Sequence, residues 1–114
     1  MSDCIFCRIA RHEVPATVVR EDEDCIAFRD LLPRAPVHVL VIPKRHIPSI
    51  NELAESDGAL IGHLVAAARE VARSDGVAES GYRLVLNAGP DAGQSVDHLH
   101  LHILGGRELG WPPG

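Results

Sequence analysis

The chain has 114 residues, 46% hydrophobic and 24% charged, with a formal net charge of −5 at pH 7. That length suits a single domain, read as 1–114, and that composition an ordinary globular one. The negative balance excludes a phosphate-tracking, nucleic-acid-binding surface, which would be basic, but leaves room for a single nucleotide.

The opening "MSDCIFCRIARHE" carries charges and cysteines where a secretory signal would be apolar, and no apolar run approaches the roughly 18 residues of a membrane span. A soluble, cytoplasmic protein with no membrane partner is expected. Residues 4–12 place Ile5, Phe6 and Ile9 at helical spacing, and Pro15 stops the helix. The cysteines number three, and two form Cys4-x-x-Cys7. In a reducing compartment that spacing reads as metal or redox chemistry. Val18–Arg20 and Cys25–Phe28 read as short strands joined by the acidic turn "EDED". "VHVLVIP", 37–43, is a β-branched strand closed by Pro43.

Segment 57–75 reads as an amphipathic helix, with Leu60, Ile61, Leu64, Val65, Ala68, Val71 and Ala72 on one stripe. Ser56 suits its N-cap, Asp57 its first turn and Gly76 its C-cap. "YRLVLNAG", 82–89, is a strand entering a Gly-Pro-Asp loop, and 96–104 is the last strand. The tail "RELGWPPG" should be extended and irregular. Strands that follow one another through short turns favour antiparallel pairing, so the class is α+β, with two helices and about five strands.

The chemistry concentrates in "DHLHLHILGG", 97–106, where His98, His100 and His102 alternate with Leu99, Leu101 and Ile103. On a strand the imidazoles share one face, roughly 6.5–7 Å apart, and the apolar set faces the helix stripe. A slip of one residue would bury three imidazoles, so the register is fixed. A plain solvated face is the bland reading, and the order of the pattern beside Asn87, Ser95 and a Gly-Gly pair argues against it. A metal site is a second reading. Cys4, Cys7, His46 and one histidine of the strand would complete a four-ligand zinc site. The third reading is attack on phosphorus: a neutral imidazole as nucleophile, with donors for the phosphoryl oxygens. "NAGPDAGQSVDH", 87–98, offers backbone N–H groups around Gly89 and Gly93, and the side chains of Asn87 and Ser95. Between Leu84 and Gly106 there is no Lys or Arg, which suits one phosphoryl group better than a triphosphate.

"HLHLHIL" resembles the signature of the histidine triad (HIT) family. "APVHVLVIPKRHI", "GYRLVLNAGPDAGQSVDHLHLHILGGR" and the closing "WPPG" resemble its Hint branch of purine nucleoside phosphoramidases. The similarity runs from "CIFCRI" to Gly114. It implies hydrolysis of the P–N bond of adenosine 5′-phosphoramidates, AMP-lysine among them, through a nucleotidyl-histidine intermediate. His100 is then the nucleophile, His102 binds phosphate and assists the leaving group, and Ser95 lies near the leaving atom. His38 stands behind the triad to orient the nucleophile. Asn87, Gly93 and Gln94 would hold phosphate or ribose oxygens. Ile5, Phe6, Ile9, Phe28, Leu31 and Leu40 would enclose a purine, AMP or GMP, and Asp30 would take the ribose hydroxyls. The chemistry would need no cofactor. Trp111 resembles a tail aromatic that reaches the partner's site in a homodimer whose sheet continues across the interface, with 82–88 as the joining strand.

Two departures stand out. Many Hint proteins lack the CxxC, whereas some bacterial relatives carry one and bind zinc; that resemblance assigns Cys4, Cys7, His46 and His98 as structural zinc ligands. Gly110 precedes Trp111, which loosens the tail. His12 and His63 match no functional position. The same family also holds dinucleoside polyphosphate hydrolases and nucleotidyl transferases, and a purine-nucleotide-sensing protein would use the same pocket. "WPPG" and Ser95 favour the phosphoramidase.

Overall fold

One antiparallel sheet organises the computed structural model, which describes residues 4–114. Its strands are β1 (Val18–Glu21), β2 (Cys25–Arg29), β3 (Val37–Pro43), β4 (Tyr82–Leu86) and β5 (Leu101–Gly105), in the order β1-β2-β3-β5-β4. A short helix α1 (Ile5–Ala10) precedes them, and a long helix α2 (Gly58–Ser74) joins β3 to β4. This is the expected α+β architecture. Among the described residues no helix is long and apolar enough to cross a membrane.

The sheet is covered on both faces, and strand alternation assigns each residue to one of them. Cys25 and Ala27 of β2, Val39 and Val41 of β3, and Leu101 and Ile103 of β5 pack with Leu64, Ala67, Ala68 and Val71 of α2. Ile26, Phe28, Leu40 and Ile42 point the other way, against Phe6, Ile9 and Ala10 of α1. β3 is buried on both faces, which explains why its sequence is almost continuously apolar. Leu99 joins the α2 core as expected. Val65 does not lie on the buried stripe; it is exposed, and Ala67 takes the inward position.

Several boundaries differ from the sequence reading. The α2 cap is Asp57, entered through a 3-10 turn over Glu55–Asp57, so Ser56 lies inside that turn and is not the cap. Asp57 instead accepts from the Ala54 N–H at 2.8 Å, closing the turn. Gly76 follows the helix at φ +77°, the left-handed geometry a Gly after a C-cap supplies. The last strand begins at Leu101, not at residue 96. The Leu99 N–H is taken by the Ile47 carbonyl at 2.7 Å, so residues 97–100 leave the sheet to meet the loop after β3. Only His102 of the three histidines therefore stands in a paired strand.

Candidate active site

The register places Phe28 opposite Leu40 and Leu40 opposite His102, a row across β2, β3 and β5 on the α1 side of the sheet. α1 rests over that row through Phe6 and Ile9. The space left between them is a cavity of about 230 Å³ lined by Phe6, Ile9, Phe28, Leu40, His100 and His102, with Asp30, Leu31 and Ser95 at its polar and outer edges. Sequence reasoning named all of these. It missed Pro15, Ala16, Arg29 and Val96, which also line the cavity. Val96 directly follows Ser95, and the Pro15 turn after α1 carries Ala16, so only the fold could bring them in.

Hydrogen bonds to backbone groups define the proton on each ring. Carbonyl oxygens only accept, and a neutral imidazole carries one N–H. The His100 Nδ1–H donates to the His98 carbonyl at 2.8 Å, which leaves His100 Nε2 with its lone pair. Phe6 meets the ring edge-on, 5.1 Å between centroids, and restricts its rotation. His38 Nδ1 accepts from the Arg34 N–H at 3.0 Å, so the His38 proton lies on Nε2. That Nε2–H donates to His102 Nδ1 at 2.9 Å, which puts the remaining His102 proton on Nε2. The result is one ring with a free lone pair beside another with a free N–H, their centroids 5.0 Å apart.

Electrostatics hold His102 in that neutral form. Burial, reinforced by the neighbouring His100 and His38, lowers its pKa to about 4 against the opposing pull of Asp30. Burial also lowers His38, with Asp30 again opposing and Arg34 assisting. His38 thus touches His102, not the proposed nucleophile; the group that orients His100 is a backbone carbonyl.

Asp30 Oδ1 accepts from the Leu32 N–H at 2.8 Å, and its Oδ2 lies 3.4 Å from His38 Nε2. Gln94 is occupied by its own loop and by the loop after β3. Its Oε1 accepts from the Gly89 N–H, and its Nε2 donates to the carbonyls of Pro48 and Val96. The Gly93 N–H donates to Pro90 and the Gln94 N–H to Gly89. These bonds shape the turn, with Gly93 at φ +80°, and the loop presents Ser95 and Val96 to the cavity. Asn87 and Ile5 are not among the described cavity-lining residues, and Trp111 is exposed beside Arg83, 6.0 Å from ring centroid to guanidinium carbon.

A second constellation lies on the other side of residue 98. The ring of His98, wholly buried, donates from Nε2 to the Pro43 carbonyl at 2.8 Å and turns the lone pair of Nδ1 outward. That Nδ1 lies 3.3 Å from Cys4 Sγ, 3.5 Å from Cys7 Sγ and 3.2 Å from His46 Nδ1. Cys7 Sγ is 3.2 Å from His46 Nδ1. Cys4 caps α1, its Sγ accepting from the Cys7 N–H, which brings both sulfurs to one end of the helix. The four residues expected together as ligands converge, with all their ligand atoms within 4.8 Å of one another. His63 and His12, unassigned in the sequence, pair with Asp22 and Glu21, each at 2.8 Å.

Comparison with known proteins agrees with this geometry. The HIT domain family model matches residues 11–109. An uncharacterized HIT-like protein of Synechococcus elongatus is 53% identical over 98% of this chain and 97% of its own length. The crystal structure of a HIT family hydrolase from Legionella pneumophila superposes with a TM-score of 0.97 at 50% identity, covering 98% of this chain and 100% of the other. A histidine triad nucleotide-binding protein from Candida albicans superposes at 0.76 with 32% identity, over 96% of this chain and 83% of its own. With its alternating histidines at 98, 100 and 102, its five-stranded sheet and these relatives in agreement, the chain belongs to the HIT domain family.

Proposed function

We propose that the protein hydrolyses the P–N bond of purine nucleoside 5′-phosphoramidates, with His100 as the covalent nucleophile. The observation that carries this reading is the bond from His100 Nδ1–H to the His98 carbonyl, which in the neutral ring leaves the Nε2 lone pair free on a residue that lines the cavity. An imidazole so held attacks without first losing a proton. The Nε2 lone pair forms a bond to the α-phosphorus, and the P–N bond breaks toward the amine, which takes the proton of the Ser95 hydroxyl. Water then attacks the phosphorus and gives a proton back to Ser95, the P–Nε2 bond returns its electrons to His100, and the nucleoside monophosphate leaves. His102 donates its Nε2–H to a phosphoryl oxygen through both steps. Phe6, Ile9, Phe28 and Leu40 supply apolar walls for a purine, and Asp30 Oδ2 an acceptor for ribose hydroxyls. The names of the Legionella hydrolase and the Candida nucleotide-binding protein support the same direction.

The reading includes a structural zinc ion on Cys4, Cys7, His46 and His98. Tetrahedral zinc with bonds of about 2.0–2.3 Å sets its ligand atoms roughly 3.3–3.8 Å apart. Four of the six separations, at 3.2–3.5 Å, lie close to that frame, and all the ligand atoms are within 4.8 Å of one another. Two thiolates and two imidazoles make a closed set, so the ion would tie α1 to the loop after β3 and the segment before β5, at one end of the sheet, and stabilise the fold. The reading also includes a homodimer joined along β4, an edge strand whose residues Tyr82–Leu86 are all half-buried.

A kinetic panel tests the function. AMP-lysine-type and GMP amidates should be hydrolysed far faster than diadenosine polyphosphates. A reversed order would place the protein among the polyphosphate hydrolases, and binding of AMP with no turnover of either class would make it a nucleotide-sensing protein.

A further inference from the structure

His38 Nε2 donates to His102 Nδ1 at 2.9 Å and stands 3.4 Å from Asp30 Oδ2, close enough to attract its proton though not hydrogen-bonded to it. It has one proton to offer, because its Nδ1 already accepts from the Arg34 N–H. Asp30, which lines the cavity, is anchored through Oδ1 by the Leu32 N–H, so Oδ2 is the oxygen that faces His38. The carboxylate therefore competes with His102 for the His38 proton. His38 is 5% exposed, which makes that competition strong, since water does not screen it. The charged and titratable groups around it are Asp30, Arg34 and His102.

We propose that Asp30 and His38 are positioning residues that couple sugar recognition to the phosphate chemistry. This rests on the reading that a nucleotide fills the cavity. When a ribose hydroxyl donates to Asp30 Oδ2, that oxygen ceases to attract the His38 N–H. His38 then donates fully to His102 Nδ1, and the His102 proton is fixed on Nε2, facing the phosphoryl group. Without the hydroxyls the His38 proton is shared, and His102 is less firmly held in its donating tautomer and orientation. The sugar thus acts on the rate of the chemical step as well as on affinity. The ligand class selected is a ribonucleotide amidate, and deoxy analogues are disfavoured at kcat.

Two measurements on the whole protein test this. In the first, the 5′-phosphoramidates of adenosine and 2′,3′-dideoxyadenosine, with the same amine, are compared in wild type and in His38→Gln. Loss of the hydroxyls should lower wild-type kcat about tenfold, a fraction of the roughly 10²–10⁴-fold that a positioned proton donor contributes, in addition to raising KM. In His38→Gln, kcat should be low and the same for both sugars, while KM still differs. A wild-type effect confined to KM, or an equal kcat loss in the variant, overturns the coupling. In the second, 15N NMR of the histidine rings follows titration with AMP or 2′,3′-dideoxy-AMP. AMP alone should sharpen His102 to a single Nε2–H tautomer; identical spectra with the two ligands overturn the coupling even if His38→Gln does not fold. Failure of the function itself looks different: neither amidate is hydrolysed by wild type.

Discussion

Residue 98 serves two sites at once: its carbonyl holds the Nδ1–H of His100, and its ring faces the sulfurs of Cys4 and Cys7. The bond to His100 is 2.8 Å long, and the ring is locked from behind by the Pro43 carbonyl. Anything that displaces the ring of His98 also displaces the group that sets the nucleophile's tautomer. Cys7→Ser should therefore lower both stability, by about 2 kcal/mol or more, and kcat. Thermal melts and steady-state kinetics at a temperature where the variant is folded check this. A lower melting temperature with unchanged kcat would show that the ring and the carbonyl act independently.

Metal removal gives a related expectation. Exhaustive chelation of purified protein should release about one zinc ion per chain and lower the melting temperature by several degrees, because a ligand bound only to the folded state stabilises it. Metal analysis before and after dialysis reads the stoichiometry. Protein that never contains zinc, and melts at the same temperature with and without chelator, would leave the cluster as a purely hydrogen-bonded one.

His102 contributes to the pH dependence of stability, beside His38 and His98, which burial lowers in the same direction. Its folded pKa of about 4 lies below the usual imidazole value near 6.5. Between these values the unfolded chain binds more protons than the folded one, so stability rises with pH across that window. Acidification from about pH 6.5 toward 4 should destabilise the protein, and below 4 this group adds no further loss. His102→Gln removes the buried imidazole and should flatten the slope. Urea unfolding at a series of pH values measures it; an equal slope in both proteins would assign the effect to other groups.

The α2 core should be separable from the chemistry. Leu64 is buried on the face of the sheet away from the cavity. Leu64→Ala should cost about 2–5 kcal/mol through lost burial and a residual cavity. Activity per folded molecule should stay near wild type in the cold. A large change in KM at 5–10 °C would mean that the two faces of the sheet are coupled.

Much of this was legible in the sequence. α2 and β3 announce themselves by period and by β-branched content, and the alternation in 98–103 sends Leu99, Leu101 and Ile103 to the α2 core. The lining of the cavity by Phe6, Phe28, Leu40, His100 and His102 followed from the resemblance. What the sequence hid were backbone roles. The carbonyls of His98 and Pro43 and the N–H of Arg34 decide the histidine tautomers, yet backbone groups leave no trace in residue identity. For the same reason 96–104 reads as one strand, although a single bond from Leu99 to Ile47 draws its first part out of the sheet. Gln94 looks like a ligand donor, and only the fold shows its amide committed to Gly89, Pro48 and Val96.

The central claim is attack by His100 Nε2 on phosphorus. The direct measurement is to quench a reaction with an adenosine 5′-phosphoramidate during turnover, digest the protein and locate any nucleotidyl group by mass spectrometry. Wild type should carry AMP on the peptide containing His100, and His100→Ala should carry none, hydrolyse nothing and still bind AMP. Turnover by His100→Ala, or an adduct on another residue, would contradict the account.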